Sequence, residues 1–597
     1  MRWMILALML SSCGSSGKRK KQDTGEPPPT YELTDEPYTV LQGVWEPKIP
    51  PQETLDAIAD GTLTVFDIDK YEEYGLGIEF AEGVPWVEHR ELAPDHEEGT
   101  ERRSVAWMWQ AADPQIIDEE SPIRFEAYDG LYRPGGHLTV QTFEAHVRTA
   151  QRINELSSRP FDFALLAGDL TDGSHLNEMQ WLLTALNGGP LNPDSGAKDD
   201  PVPGKGNDFN DRFFSDGLDA DWYAALGNHE TLYNGGFGQL DGPTRAAAIG
   251  TEIYDFPLFE NGFRDGSVEG APVVTSGSTI ADPNRCPLRL PEVLDLIYRA
   301  PGSPVGHGLT FADLYKEDCE PPDVTYRLGP RIYDVQLKHP CGTCTATTTQ
   351  QRGYFSVQPI KNKPFRLIVL NTVDSNALIG AGAQGYIDRE QLNWLSRELA
   401  ASDDDNEMVV VMSHHRIKDL GGFSPTTPDD LAATLMVSSG LVLHVTGHGH
   451  FNQKSLELPD DPDVELGFWQ LMLASTVDFP MQTRLIEIVD ERNVAEDDLT
   501  TPHYATIYVT NIDHNSPPDS LAHKSRALAA GKMAFPDVVG DTQDIAEFWA
   551  SDTQAQNLML RIEIPEAVAN NLADYKWSDV IESEDTLLTF DAPTTIP

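Results

Sequence analysis

Five short stretches of this chain set carboxylates, amides and imidazoles directly after apolar runs. "VAWMW" leads into "ADPQ", which carries Asp113 and Gln115, and "FALLAG" ends in "GDLTD", with Asp169 and Asp172. "WYAALG" runs into "GNHE", with Asn228 and His229; "MVVVMS" ends at His414 and His415; "LVLHVTG" ends at His448 and His450 of "GHGH". Each has a plain structural reading. A Gly-Asp after a strand is commonly a turn closed by an Asx hydrogen bond, and a His beside a Ser is commonly hydrogen-bonded or exposed. "GHGH" says more, because a Gly between two imidazoles lets both approach one ion. Taken together, Asp, Asn and His are donor types suited to divalent cations.

The elements that must position these residues are legible too. Short runs rich in Val, Leu, Ile and aromatics, with "FRLIVLN" among them, read as strands buried on both faces. Between some of them lie helical patterns. "FEAHVRTAQRINEL" puts Phe143, Val147, Ala150 and Leu156 near one face, and "DREQLNWLSREL" does so with Leu392, Leu395 and Leu399. Alternating strands and helices imply a layered α/β core. Open α/β sheets gather ligands at the carboxyl ends of their strands, so separate strands deliver Asp, Asn and His to one edge.

In this order, "ADPQ", "GDLTD", "GNHE", "SHH" and "GHGH" resemble the motif series of the calcineurin-like metallophosphoesterases, D-x-H, G-D, G-N-H-[ED], H and G-H-x-H. The resemblance spans about Ser104 to His450, and "FWQLMLASTVDFPMQTRLIEI" looks like the closing strands of the same domain. It implies a β-sandwich flanked by helices, interrupted here by long insertions, with two divalent metal ions (Mn, Fe or Zn) where the motifs meet. Carried over, Asp113 and His450 hold the first metal, Asp169 bridges both, and Asn228, His414 and His448 hold the second. His414 is preferred to His415 because the family ligand directly follows its strand. The implied chemistry is direct attack on phosphorus by a hydroxide bridging the metals, with the ions stabilising attacking and departing oxygens. His229 would protonate the leaving oxygen or steady phosphoryl charge, with Asp172 orienting it.

Gln115 departs from the pattern, which has His there. Its amide oxygen is a weaker ligand for zinc and a better one for harder ions such as manganese or calcium. It stands as a first-metal ligand or as a residue just behind the ligands. Arg124 in "EESPIRF" and Arg416 in "SHHRIK" are candidates to grip a phosphate oxygen, with ordinary salt bridges as the alternative.

The chain has 597 residues and a formal net charge of -52. That charge argues against nucleic-acid binding, which needs clustered Lys and Arg. "MRWMILALMLSSC" has a positive start, a short apolar core and small residues up to Cys13, the pattern of an export signal. "LSSC" resembles the bacterial lipoprotein box. It implies a lipid anchor at Cys13 as the membrane contact and residence in the bacterial cell envelope, with a plain secretory signal as the alternative. Cys286, Cys319, Cys341 and Cys344 then remain. An even count in an oxidising compartment suggests two disulfides of unspecified pairing, although "CGTC" leaves zinc or redox readings open.

The expected organisation is a signal peptide at 1–13, a flexible linker at 14–37, an N-terminal extension at 38–103 and the phosphoesterase domain at 104–530. The domain is interrupted at about 188–215 and 231–350, and a C-terminal extension follows at 531–597. The expected function is hydrolysis of a phosphate mono- or diester. A nucleotidase or cyclic-nucleotide phosphodiesterase differs from it in substrate alone, and a non-catalytic surface lipoprotein on the same fold is the reading from another class.

Overall fold

A computed structural model describes residues 37–99, 101–124, 132–197, 200–238, 243–251, 278–304, 352–374, 383–421, 424–458, 467–492, 502–535 and 557–575. Cys13, Cys319, Cys341 and Cys344 lie outside them, as do nearly all of the linker and the larger part of the second insertion.

Among the described residues, thirteen strands form two facing sheets. In chain order, β1 (Trp86–Leu92), β2 (Glu101–Ala111), β3 (Phe163–Leu166) and β4 (Trp222–Ala224) begin the larger sheet. The smaller sheet comprises β5 (Phe355–Val357), β6 (Phe365–Val369), β7 (Met408–Met412), β8 (Leu441–Thr446), β9 (Gln453–Glu457) and β10 (Phe468–Met472). The chain then returns to the larger sheet through β11 (Gln482–Arg492), β12 (His503–Asp513) and β13 (Asn557–Ile564). The spatial orders are β1-β13-β12-β11-β2-β3-β4 and β5-β6-β7-β8-β10-β9.

The apolar runs that precede the motifs are the parallel strands: β2, β3 and β4 in one sheet, and β6, β7, β8 and β10 in the other. Side chains alternate across a strand, and here both sides are apolar. Leu367, Val369, Val410, Met412, Leu443 and Val445 face the main core, which also holds Trp109, Phe163 and Ile486 of the larger sheet. Ile368, Val409 and Val411 face outward into a second core. A fully buried side chain of this size contributes about 1.5–3 kcal/mol, which explains why these strands read as unbroken hydrophobic runs.

Helices α1 (Thr139–Leu156), α2 (Leu176–Asn187) and α3 (Leu290–Arg299) pack on the main core through Phe143, Val147, Ala150, Met179, Leu182, Val293 and Ile297. Ile153 is the fully buried residue of the last turns of α1, whereas Leu156 is only partly buried. α4 (Arg389–Asp404) and α5 (Pro428–Leu435) cover the outer face of the smaller sheet with Leu392, Leu395, Leu399 and Leu431. α4 starts where the Asp388 carboxylate accepts a hydrogen bond from the Gln391 N–H at 2.7 Å, satisfying a donor that the helix cannot. α6 (Leu521–Lys532) lies near the start of α1. The layered α/β sandwich flanked by helices expected from the sequence is the architecture observed.

The insertions and extensions carry more structure than their sequences advertise. The first insertion is closed by a short antiparallel strand pair, Gly189–Leu191 with Phe213–Ser215, and the second supplies α3. The N-terminal extension supplies β1 and the C-terminal extension β13, which pair in parallel within the larger sheet.

Candidate metal centre

The loops that follow β2, β3, β4, β7 and β8 meet at one end of the sandwich. Two groups of ligating atoms come together there, each with its atoms within 4.8 Å of one another: Asp113, Asp169 and His450, and His414, His415 and His448. Asp113, Asp169, His414 and His415 are buried, with 1% relative exposure or less.

Glycines make this convergence possible. A Cβ on Gly227 would stand 2.1 Å from Asp169 Oδ1, and one on Gly447 would stand 2.4 Å from Asp113 Oδ2. The glycines of "GNHE" and "GHGH" are therefore required for close approach. The backbone is also bent into the left-handed region at Asp113 (φ 49°), Gln115 (φ 35°), Asp169 (φ 50°), His448 (φ 74°) and His450 (φ 63°). Non-glycine residues held there cost on the order of 1–3 kcal/mol each and cluster at functional sites.

The donor atoms are held in place by hydrogen bonds within the chain. His414 Nδ1 lies 2.8 Å from the Ala167 carbonyl and donates to it, which leaves Nε2 facing Asn228 Oδ1 at 3.1 Å and Asp169 Oδ2 at 3.2 Å. In the neutral ring, three acceptor atoms thus converge, an arrangement that a cation resolves. The Asn228 amide is fixed by donation from Nδ2 to the Gly235 carbonyl at 2.8 Å. His450 Nδ1 lies 2.8 Å from Asp478 Oδ2 and its Nε2 lies 3.4 Å from Asp113 Oδ1. The His448 backbone N–H donates to both oxygens of Asp113, at 3.1 and 3.0 Å.

The electrostatics point the same way. Burial would raise the Asp169 carboxyl, yet His414 and His229 hold it well below the usual carboxylate range. Burial would lower His414, yet Asp169 pushes it up to about 10. His450 is likewise pushed up to about 9, against its burial, by Asp113 and Asp478. The buried acids therefore demand positive charge. Gln115 is 1% exposed; its Nε2 lies 3.3 Å from Asp169 Oδ2, and its Oε1 has no hydrogen-bond partner. An orphaned amide oxygen on a side chain that lies against the Asp169 carboxylate fits a place for a divalent ion. The residues present thus suit divalent metals, with oxygen donors prominent on the Asp113 side and imidazoles on the His448 side.

The His229 side chain is 12% exposed, and that of His450 is 18% exposed. His229 Nδ1 lies 2.7 Å from the main-chain carbonyl of Asp172, and its Nε2 lies 3.8 Å from Asp169 Oδ2. The Asp172 carboxylate, expected to orient this ring, is 3.7 Å from Nδ1 and is instead engaged by Arg124, with Arg133 at 3.7 Å. The carbonyl is the shorter contact because the carboxylate is drawn toward the guanidinium groups.

Arg124 is 4% exposed and lies between Asp172 and Glu119. Arg416 is held by both oxygens of Asp419, at 2.8 and 2.9 Å, and by Gln453. Both candidates for gripping phosphate therefore have protein carboxylates as partners.

Three contributors lie outside the expected set: His415, which was set aside in favour of His414, and Glu230 and Asp478, which were not foreseen. His415 joins the imidazole group, with Nδ1 2.9 Å from Thr372 Oγ1. Glu230 accepts from the N–H groups of Leu170, Thr171 and Gly227 at 2.6, 3.1 and 2.7 Å, tying the Asp169 loop to the Asn228 loop. Asp478 orients His450 and is itself held by Lys532 at 3.1 Å and Arg133 at 3.3 Å. A signal for Asp478 existed, since "LASTVD" follows the parallel strand β10 as the other motifs follow theirs.

No family model and no curated protein matches the chain. Among solved structures, it is similar to a dimetal phosphatase from Danio rerio at 12% identity and TM-score 0.34, over 69% of this chain and 100% of that one. It is also similar to the sulfate thiohydrolase SoxB from Thermus thermophilus, in complex with glycerol, at 11% identity and TM-score 0.27, over 72% of this chain and 61% of that one. At these values neither likeness bears on activity.

Proposed function

We propose that the chain is a calcineurin-like metallophosphoesterase that hydrolyses phosphate mono- or diesters. The observation that carries this reading is the convergence of Asp113, Asp169 and His450 beside His414, His415 and His448, with the partly exposed His229 next to the Asp169 carboxylate.

Asp113, Gln115, Asp169 and His450 would hold one ion, and Asp169, Asn228, His414 and His448 the other. When bound, a pair of divalent ions supplies Lewis-acid polarisation of a phosphoryl oxygen and acidifies water. The chain's own residues do the rest. The Asp172 carbonyl fixes the His229 ring with Nδ1 as donor, so Nε2 is the atom that can carry a proton to the leaving oxygen. Asp478 holds His450 in the tautomer that presents Nε2 to Asp113. The Arg124 and Arg133 pairs hold the Asp172 loop, and with it the ring of His229.

The reading extends to an exported protein tethered by lipid at Cys13, on the strength of the "LSSC" box. Among the described residues no helix is long and apolar enough to cross a membrane.

The test is turnover of p-nitrophenyl phosphate and of bis(p-nitrophenyl) phosphate with added Mn²⁺, comparing the native chain with His229→Ala and Asp169→Asn. Turnover by the native protein, lost in both variants, is expected. A folded protein inactive on both esters with Mn²⁺, Fe²⁺ or Zn²⁺ would remove the enzyme reading and leave a binding protein on this fold.

A further inference from the structure

A second concave site lies away from the metal ligands, on α2. Asn177, Gln180, Trp181 and Thr184 follow i, i+3, i+4, i+7 spacing and so share one face of that helix. They line a cavity of about 260 Å³ whose opposite wall is formed by the 190–195 segment and by Asp282 and Asn284. Asn177 and Trp181 of this face are buried, Trp181 at the edge of the main core, whereas Gln180 is exposed and Thr184 half-buried.

Behind the cavity stands a buried hydrogen-bonded network. Asp118 accepts from Ser195 Oγ at 2.6 Å, Asn177 Nδ2 at 2.7 Å and Arg285 Nε at 3.0 Å. Glu120 accepts from the Ser195 N–H at 2.9 Å, and Asp282 from the N–H groups of Asn284 and Gly196 at 2.9 and 3.2 Å. Asn177 is 4% exposed. Its amide nitrogen is committed to Asp118, and its Oδ1 is buried with no hydrogen-bond partner. An unmatched buried carbonyl oxygen favours a hydroxyl donor that can reach it.

The chemistry of the walls selects the ligand. Phosphate and other anions are disfavoured, because Asp194 and Asp282 line the cavity and the adjacent Arg285 is committed to Asp118, Ser195 and the Ile280 carbonyl. A metal ion is disfavoured, because Asp118, Glu120 and Asp282 already accept from protein donors. Amides that both donate and accept, carboxylates that accept, and an indole in the wall suit a ring bearing many hydroxyls and an apolar face. We infer that this cavity binds a neutral sugar ring. Glu178, on the same turn of α2, accepts from the N–H groups of Gly173 and His175 at 2.9 and 3.0 Å. The sugar site is thereby joined to the loop carrying Asp172, yet shares no ligand with the metal centre.

The test is saturation-transfer NMR on the full chain with methyl α-D-glucopyranoside, methyl β-D-galactopyranoside and N-acetyl-D-glucosamine, with inorganic phosphate and Ca²⁺ as competing probes. Binding is read in the native protein, in Gln180→Ala/Asn284→Ala and in Asp169→Asn, each confirmed folded by its melting curve. The expected result is saturable transfer to at least one sugar, weakened about tenfold or more in the double variant and unchanged in Asp169→Asn. The inference is overturned by no transfer to any of the three sugars, by binding that the double variant leaves intact, or by displacement of the sugar by phosphate or Ca²⁺.

Discussion

The imidazole of His229 is held by the main chain of Asp172, with Nδ1 2.7 Å from the carbonyl oxygen, while the carboxylate of the same residue stands 3.7 Å away. A backbone acceptor survives side-chain replacement, so the two residues separate on mutation. His229→Ala is expected to lower kcat on p-nitrophenyl phosphate by about 10²–10⁴-fold, the usual range for a lost proton donor. Asp172→Asn keeps the carbonyl and is expected to lose far less, on the order of tenfold. Equal losses in the two variants would show that the carboxylate is the true partner of the ring.

Asp478→Asn addresses the other side of the centre. Replacing the carboxylate that accepts from His450 Nδ1 weakens the hold on that ring's tautomer and is expected to reduce metal affinity about 10–100-fold. Calorimetric titration of the metal-stripped protein with Mn²⁺ measures it, independently of turnover.

Gln115 sets ion preference on the oxygen-rich side. Gln115→His introduces an imidazole nitrogen and is expected to move selectivity toward Zn²⁺ over Mn²⁺. Metal content after dialysis against an equimolar mixture of the two ions reads the shift. An unchanged ratio would place Gln115 behind the ligands rather than among them.

Chelation should lower the melting temperature as well as abolish turnover, because ions that bind only the folded chain stabilise it by mass action, by about 2.7 kcal/mol at a hundredfold excess over Kd. Scanning calorimetry with and without EDTA shows the difference, and Asp169→Asn is expected to remove most of it.

A pH effect follows from Glu144 in α1, which burial and Asp216 push up to about 7 in spite of Arg148. Because its folded pKa exceeds the ordinary value of 4.5, the native state holds this proton more tightly than the unfolded chain. Stability from this group is full at the lowest pH, falls as pH rises from about 4.5 toward 7, and is level above that. Urea titrations at pH 5 and pH 8 should show a smaller difference between the two in Glu144→Gln than in the native protein.

Much of the centre was legible because its residues sit at the ends of strands buried on both faces, where an apolar run and an abrupt polar stop are visible without any partner. His414 was preferred to His415 as the residue directly after its strand, but adjacent residues of that loop both reach the centre here. Asp478 follows a strand of the same kind, but in "STVDFP" no glycine flags a close approach. The role of the Asp172 carbonyl had no signature at all, since every residue has one. β1, "WVEHREL", was illegible for another reason: it is an edge strand with charged residues between its apolar ones, and its partner β13 is supplied from the far end of the chain.

That pairing governs the order of assembly. Trp86 lies opposite Asn557 and Val87 opposite Leu558, so β1 has no seat in the larger sheet until residues near 560 have been synthesised. Contacts so distant in sequence form late and slowly. Until β13 docks, β12, with Tyr504, Ile507 and Val509, presents an unpaired edge that invites association with other chains. Nascent or truncated forms of this protein should therefore depend on chaperones, a requirement set by chain connectivity rather than by the metal centre.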